Sequence, residues 1–154
     1  MINPTAGKKA PDFTLPATGG EFRLKDAAGK HVVIYFYPRD NTPGCTREGE
    51  AFRDLHAQFK RAGAIVLGLS TDTLASHEKF KAKMGFPFEL ASDTAHEVAD
   101  LYGVWKEKNM YGRKVMGIER STFLVDAKGV LRAEWRKVKV EGHAEAVLAA
   151  VKAL

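Results

Sequence analysis

The chain has 154 residues, 45% of them hydrophobic, which is enough for one sizeable core and argues against disorder. The net charge of +5 suits an acidic partner, but Lys and Arg are interleaved with Asp and Glu, so solvated surface is expected and no nucleic-acid site. One cysteine excludes an internal disulfide, and residues 1–9 contain no apolar segment, so neither a signal peptide nor a membrane span is expected. We expect a single domain over residues 1–154, in a reducing cytoplasm.

The first part of the chain predicts a hairpin, a buried strand and a helix. Segments 13–15 and 21–24, separated by a proline and a glycine pair, are typical of a short hairpin. Residues 32–37 form an unbroken run of β-branched and aromatic side chains, which indicates a strand covered on both faces. Pro38 ends this strand because proline cannot donate to a ladder. Hydrophobic residues then recur at helical spacing over 52–62, which predicts a helix after the loop.

A second strand and a second helix continue the pattern. Residues 64–69 form another apolar run, so the strand, helix and strand are expected to make a right-handed crossover with parallel strands. Asp72 or Thr73 caps the next helix, and Gly85 ends it. An extended link and a short strand at 89–91 follow.

The last third predicts a brief helix, a loop, a hairpin and a closing helix. Segment 106–119, rich in Lys, Arg and aromatic residues, is interpreted as a mobile loop near the functional site rather than as a nucleic-acid surface. Segments 120–126 and 130–135 have hairpin spacing, and residues 144–154 place apolar side chains on one helical face. This order predicts an α/β fold with three layers (α/β/α), a central mixed sheet and an N-terminal hairpin, for which a thioredoxin-like topology is the candidate.

The only cysteine, Cys45, lies where the loop after Pro38 becomes a helix. The first amides of a helix lack intrahelical partners and its dipole is positive there, so a thiolate is stabilised at this position. The dipole of one helix terminus does not easily supply the whole stabilisation of a thiolate, so a second positive charge, from a cationic side chain, is expected near the sulfur. Arg120 is the candidate, because it opens the apolar segment 120–126, which can run as a strand beside residues 32–37.

Cys45 also has a plainer interpretation. A lone cysteine is often a small hydrophobic core residue with no special reactivity. Its neighbours Thr42, Gly44 and Arg47 do not fit the surroundings of a buried apolar side chain, and they are typical of a loop. The residues alone leave both interpretations open.

The residues around Cys45 also carry a family resemblance. Pro38, Thr42 and Cys45 match the Pro-x-x-x-Thr-x-x-Cys signature of peroxiredoxins, and residues 36–48 resemble the bacterioferritin comigratory protein, or peroxiredoxin Q, branch. The resemblance extends over most of the chain, through segments 10–15, 68–72, 86–88 and 120–126.

The resemblance implies a thioredoxin-like fold and a peroxidase site that needs no cofactor. Cys45 is then the peroxidatic cysteine, which attacks a hydroperoxide and becomes a sulfenic acid. Thr42 and the Cys45 amide hydrogen-bond the peroxide, Arg120 stabilises the thiolate and binds peroxide oxygen, Pro38 shields the sulfur, and Glu48 orients an arginine. Each side chain also has a duller alternative, with Thr42 as a helix cap only, Arg120 as a surface ion pair and Glu48 as a first-turn carboxylate.

The sequence departs from that family where turnover is completed. Many members of the branch carry a resolving cysteine five residues after the peroxidatic one, where this chain has Glu50, or on the next helix, where residues 73–84 contain none. An outside thiol from thioredoxin, glutaredoxin or a small molecule such as glutathione must then attack the sulfenic acid.

We therefore expect a monomeric one-cysteine peroxidase that reduces hydrogen peroxide and organic hydroperoxides. The alternative is a redox sensor or binding protein, switched by oxidation of Cys45 without efficient turnover. Other chemistries lack their motifs, because the five histidines show no metal-ligand spacing and no phosphate loop or serine-hydrolase elbow is present. No metal and no cofactor are expected.

Overall fold

A mixed β-sheet forms the centre of the fold, and the computed structural model describes residues 6–154. The strands are β1 (Thr14–Ala17), β2 (Gly20–Arg23), β3 (His31–Phe36), β4 (Ala64–Ser70), β5 (Glu89–Ser92), β6 (Trp105–Met110), β7 (Arg113–Ile118), β8 (Ser121–Val125) and β9 (Leu131–Arg136). The α-helices are α1 (Pro43–Arg61), α2 (Leu74–Met84), α3 (Glu97–Leu101) and α4 (His143–Lys152), and a short 3₁₀ helix spans Leu24–Ala27.

Within the described residues, seven strands form one sheet in the order β2-β1-β5-β4-β3-β8-β9. Strands β3, β4 and β5 run parallel, while β8 and β9 extend the sheet in antiparallel fashion beside β3. The β3, α1 and β4 elements therefore form the predicted parallel crossover unit, and β1 with β2 forms the predicted hairpin. The prediction of a mixed sheet is confirmed.

Each face of the sheet carries its own hydrophobic cluster. Val33 and Tyr35 of β3 belong to a cluster that includes apolar side chains of α1, α2 and α4. Val32 and Ile34 belong to the other cluster, which includes side chains of α3, the 3₁₀ helix and the end of β7. Successive residues of a strand point to opposite faces, so a continuous apolar run such as β3 is buried on both sides. The predicted three-layer arrangement is confirmed.

The helix ends follow from identifiable residues. Thr73, rather than the residue before it, caps α2, because its Oγ1 accepts from the N–H of Ser76 at 3.2 Å. Gly85 ends α2 with a positive φ of 64°. The closing helix ends at Lys152, so Leu154, which was expected on its apolar face, lies beyond the helix and is 41% exposed.

Residues 106–119 do not form the loop that the sequence predicted, and that prediction was wrong. Strands β6 and β7 form an antiparallel hairpin outside the main sheet. Tyr111 and Gly112 make its two-residue turn, both with positive φ (54° and 80°), as a type I′ turn requires. The hairpin was missed because charged side chains on both strands hide the alternation that marks a half-buried strand.

The length and the hydrophobicity of the helices bear on whether any of them could cross a membrane. Among residues 6–154, no helix combines the length and the apolar character needed to cross a bilayer. The single domain over residues 1–154 stays a prediction.

Gly49→Ala is expected to destabilise the fold by about 1–3 kcal/mol. A Cβ at this buried position of α1 would lie 2.4 Å from Cζ of Phe86, in the segment after α2. The Phe86 ring already packs against Phe80 and Phe88, so it has little freedom to move. The loss outweighs the helix propensity of alanine, which alone favours the substitution by about 1 kcal/mol. Urea unfolding measures the change, and an undiminished midpoint would contradict the close contact.

Candidate active site

The loop between β3 and α1 carries Pro38 and Thr42, two of the sequence-predicted site residues, and the first turn of α1 carries a third, Cys45. Thr42 is the N-cap of α1, and Pro43 occupies the start of the helix, where a missing N–H costs nothing. Cys45 follows in the same first turn, so its backbone N–H is among those that helical geometry leaves without an intrahelical acceptor. Pro38 is half-buried between the strand and the loop.

Cys45 is 2% exposed, and its sulfur faces Arg120. The Nη2 atom of Arg120 donates to Sγ over 3.3 Å. Strand β8 lies beside β3, as predicted, and the pairing of Phe36 with Ser121 brings Arg120, one residue earlier, alongside the loop. Cys45 is therefore buried as a core residue would be, yet a charged donor contacts its sulfur.

Glycine at position 44 permits this close approach. A Cβ there would lie 3.1 Å from Nη2 of Arg120, so a larger residue would push the guanidinium away from the sulfur. Burial opposes the charge of Arg120, but the negative charges of Glu48 and Cys45 raise its pKa above the ordinary value. Arg120 therefore remains a cation in the pocket.

Glu48, one helical turn after Cys45, completes the contact group. Its side chain is 1% exposed, and Oε1 accepts from Nη1 of Arg120 at 2.5 Å. The other oxygen, Oε2, is the one buried side-chain polar atom without a hydrogen-bond partner in the described residues. Burial raises the pKa of Glu48 to about 7, although the charge and hydrogen bond of Arg120 partly offset this rise. The carboxyl group therefore titrates near neutral pH.

Glu48→Gln is expected to flatten the pH dependence of stability. The folded protein keeps this proton up to pH about 7, whereas the unfolded chain releases it near 4.5, so the stabilisation is complete below 4.5. The free energy of unfolding attributable to Glu48 then falls by up to about 3 kcal/mol as pH rises through this interval. Urea unfolding across the interval measures the decline.

The control is Glu50→Gln, which removes a carboxylate whose side chain is 43% exposed on the same helix. It should keep the decline of the parent chain. Equal slopes for Glu48→Gln and the parent chain would contradict the assignment of this titration to Glu48.

Thr42 does not use its side chain as a helix cap. Its hydroxyl donates to the carbonyl oxygen of Arg39 at 2.9 Å, and no N–H of α1 donates to it. The lone pairs of the oxygen therefore remain available to another donor in the loop. The alternative interpretation of Arg120 as a surface ion pair does not fit either. Its side chain is 16% exposed, and its partner Glu48 is 1% exposed, so the pair is largely buried.

Sequence reasoning missed a buried hydrogen-bond network that anchors this loop through Asp40. Its Oδ1 accepts from the Tyr37 hydroxyl at 2.6 Å, and its Oδ2 accepts from the Ser76 hydroxyl at 2.8 Å. Burial would raise the pKa of Asp40, but hydrogen bonds from His77, Tyr37 and Ser76 hold it below its usual value. Asp40 is therefore a carboxylate that only accepts.

His77 joins this carboxylate to the sheet. Nδ1 of His77 lies 2.8 Å from Oδ2 of Asp40, and Nε2 lies 2.9 Å from the carbonyl oxygen of Ala91. Both partners can only accept, so each ring nitrogen of His77 is placed to donate. The loop that holds Pro38 and Thr42 is thereby tied to α2 and β5.

Asp72 fastens the same loop to the end of β4. Its Oδ2 accepts from the Asp40 N–H at 2.9 Å and from the Ser70 hydroxyl at 2.6 Å. Asp40, Asp72 and His77 are the one group of three potential metal ligands in the part of the chain described. Nδ1 of His77 bonds Oδ2 of Asp40, and Oδ2 of Asp72 accepts from the Asp40 N–H and the Ser70 hydroxyl, so hydrogen bonding accounts for the cluster. The available sequence signal was a pair of acids directly after two neighbouring parallel strands.

His77→Gln is expected to lower the free energy of unfolding by about 1–3 kcal/mol. A glutamine amide cannot donate to both Asp40 and the Ala91 carbonyl, so one buried acceptor loses its partner. Urea unfolding measures the loss. Stability equal to that of the parent chain would rule out the double donation.

The β6–β7 hairpin brings another cation to the site. Lys108 is half-buried, and its pKa is lowered by burial and by the positive charge of Arg120, while Cys45 and Glu119 act in the opposite direction. Segment 106–119 therefore lies near the site, as expected, although it is a hairpin. His143 adds no charge, because burial and Arg120 lower its pKa to about 4.

The fold and this site define a class: a single-cysteine redox protein in which an arginine contacts a sulfur at the start of a helix. The AhpC/TSA family matches residues 6–134. Peroxiredoxin Bcp of Bacillus subtilis is 48% identical over 147 residues, or 95% of this chain and 94% of that protein. Peroxiredoxin Bcp of Xanthomonas campestris is 53% identical over 143 residues, or 92% and 89%. The chain therefore belongs to the AhpC/TSA family and is an enzyme, a peroxiredoxin of the Bcp or peroxiredoxin Q group.

Solved structures agree with this assignment. The bacterioferritin comigratory protein of Xanthomonas campestris, described for its alkyl peroxide reduction activity, superposes with a TM-score of 0.90 at 50% identity, covering 97% of this chain and 98% of the other. Peroxiredoxin 6 of Arenicola marina gives a TM-score of 0.81 at 23% identity, covering 96% and 71%, which shows the shared fold alone. The thioredoxin-like fold expected from the sequence is confirmed.

Proposed function

We propose that this peroxiredoxin reduces hydrogen peroxide and organic hydroperoxides through a sulfenic acid at Cys45. The observation that carries the proposal is the contact of Arg120 with Sγ at 3.3 Å, inside a pocket where Glu48 holds the same guanidinium. A cation that donates to sulfur favours the thiolate, which is the nucleophilic form.

In the first step, the Cys45 thiolate attacks the terminal oxygen of the peroxide in line with the O–O bond. The S–O bond forms as the O–O bond breaks, sulfur is oxidised, and the leaving oxygen departs as hydroxide or alkoxide and takes a proton from water. The Cys45 N–H and Arg120 donate to the peroxide oxygens, where negative charge develops. Thr42 accepts from the peroxide O–H with a lone pair, because its own hydrogen is directed at Arg39. Pro38 shields the thiolate from bulk water.

The second step requires a thiol from outside the chain. Cys45 is the only cysteine in the sequence, so its sulfenic acid has no partner for an intramolecular disulfide. An external thiolate attacks the sulfenic sulfur and forms an S–S bond while the S–O bond breaks, and the leaving hydroxide takes a proton from solvent to become water. A second thiol then releases Cys45 by disulfide exchange. Thioredoxin, glutaredoxin and small thiols such as glutathione are the proposed reductants, which places the reaction in a thiol-reducing compartment such as the cytoplasm.

Intact-protein mass after one equivalent of hydrogen peroxide tests the proposal. We expect a gain of one oxygen, followed by its replacement by a thiol adduct when glutathione is added. Continuous peroxide consumption with thioredoxin or glutathione distinguishes the enzyme from a redox sensor, because a sensor without turnover stops after one equivalent. An unchanged mass after peroxide would overturn the proposal.

A further inference from the structure

Exposed hydrophobic side chains are concentrated on the β6–β7 hairpin. Four of the five large hydrophobic residues that are exposed in residues 6–154 lie there: Met110 (51%), Tyr111 (99%), Val115 (39%) and Met116 (52%). The fifth, Leu154, follows helix α4 and is not part of the hairpin. Such concentration on one projecting element marks an interaction surface better than scattered exposure does.

The strand register divides the hairpin into two faces. Lys108 pairs with Val115 and Met110 pairs with Arg113, so these side chains share one face, which we call the Lys108 face. Its members are Lys106, Lys108, Met110, Arg113 and Val115. The opposite face carries Glu107, Asn109, Lys114 and Met116.

The Lys108 face is continuous with the active site. Lys108 interacts electrostatically with Cys45 and Arg120, and it is the member of the face that is half-buried. Strand β7 ends at the buried Ile118, two residues before Arg120, so the base of the hairpin is connected to the pocket by a very short segment. A partner seated on this face would therefore lie beside the sulfur.

Charge distinguishes the two faces. The Lys108 face has three cations and no acidic residue. On the opposite face, Nζ of Lys114 lies 3.7 Å from Oε1 of Glu107, so charges of both signs are present. A partly apolar surface with three cations and no acidic residue of its own complements an acidic protein surface, and it accelerates encounter with one.

Tyr111 at the hairpin tip supports a docking role. Its φ of 54° lies in the left-handed region, where asparagine or glycine is usual in a type I′ turn. An aromatic residue here costs about 1 kcal/mol of local strain. Exposed tyrosines are frequent anchors of protein interfaces, so the side chain accounts for a residue that the turn itself disfavours.

We propose that the Lys108 face is the docking surface for an acidic protein thiol, which reduces the Cys45 sulfenic acid. The inference deepens the proposed peroxidase function and depends on it. Oxidation converts an anionic thiolate into a neutral sulfenic acid, so the cations near the sulfur lose one compensating charge. The oxidised site then attracts an anionic partner more strongly than the reduced site does. The partner thiolate forms an S–S bond to Cys45 while the S–O bond breaks, and the leaving hydroxide takes a proton from solvent.

Two double variants test the surface with matched changes on adjacent residues. The first combines Arg113→Glu with Val115→Ser on the Lys108 face, and the second combines Lys114→Glu with Met116→Ser on the opposite face. Each reverses one charge and removes one apolar side chain at the same height of the hairpin. Three rates are measured for each: Cys45 oxidation by hydrogen peroxide, turnover with thioredoxin, and turnover with the neutral thiol 2-mercaptoethanol.

We expect the first variant to lose about tenfold or more in kcat/KM for thioredoxin, with the other two rates unchanged. The second variant should match the parent chain in all three rates, and added salt should slow only turnover with thioredoxin. Equal thioredoxin losses in both variants, or a loss in neither, would overturn the docking proposal. A matching loss with 2-mercaptoethanol would also overturn it, because the hairpin would then control access to the sulfur in general.

Size-exclusion chromatography tests whether the Lys108 face instead binds a second copy of the chain. If only the first variant changed the elution volume, the Lys108 face would be a self-association surface and the proposal would be wrong. Failure of the peroxidase function itself looks different, since the parent chain would then show no Cys45 oxidation at all.

Discussion

Cys45→Ser is expected to abolish peroxide reduction, leaving the rate indistinguishable from that of buffer. Serine keeps the size and the burial of the side chain, but its hydroxyl is not ionised near neutral pH and is a far weaker nucleophile than a thiolate. Peroxide consumption with thioredoxin or glutathione present measures the loss. Urea unfolding of the same variant serves as the control for folding, and the Arg120 contact should survive in weaker form.

The mass measurement makes this test specific to the sulfur. The parent chain should gain one oxygen from one equivalent of hydrogen peroxide, and Cys45→Ser should gain none. If the variant retained turnover, the reaction would not pass through Cys45, and the proposed mechanism would be refuted.

Arg120→Ala is expected to slow the oxidation of Cys45 by about 10²–10³-fold, the usual cost of removing one preorganised donor from a developing negative charge. Two losses contribute to this effect. The sulfur loses the cationic donor that lies 3.3 Å away, and the peroxide loses a donor at the oxygen that leaves. Stopped-flow measurement of the oxidation rate at several peroxide concentrations checks the magnitude.

Arg120→Ala also leaves Glu48 buried without its one partner, so a structural effect must be separated from a chemical one. The double variant Arg120→Ala with Glu48→Gln removes the unpaired ionisable carboxyl group while leaving the sulfur without its donor. We expect this double variant to regain stability but not rate. Recovery of the rate would show that Arg120 acts through the fold rather than on the thiolate and the peroxide.

Local patterns predicted the part of the site that lies within one stretch of chain. The apolar run of β3 and the change from loop to helix at Cys45 depend on neighbouring residues, so periodicity and turn chemistry were sufficient to place them, whereas the roles of Thr42 and Pro38 came from the family resemblance. Arg120 required one long-range step. That step succeeded because a buried strand such as β8 has few places to pair other than beside another buried strand.

The remaining contacts depend on side chains that no local pattern joins. His77 meets Asp40 across 37 residues of sequence, and Glu48 meets Arg120 across 72. The family resemblance gave Glu48 the role of orienting an arginine, but only the approach of Arg120 explains why a carboxylate is buried there. The β6–β7 hairpin was not predicted for a related reason. Its strands bury little apolar surface, and their charged side chains resemble those of a loop.

The two ends of the active-site loop are held with unequal strength. Asp40 is anchored by four side-chain or backbone partners, whereas the first turn of α1, which contains Cys45, has no side-chain cap and meets Arg120 at the sulfur. A bulky reductant reaches a sulfur this well covered only when that turn unwinds. We therefore expect a local opening step to contribute to the lifetime of the oxidised cysteine, during which a second peroxide molecule competes to form the sulfinic acid. Mutations that stiffen the turn should consequently make the protein more prone to inactivation when oxidant is abundant.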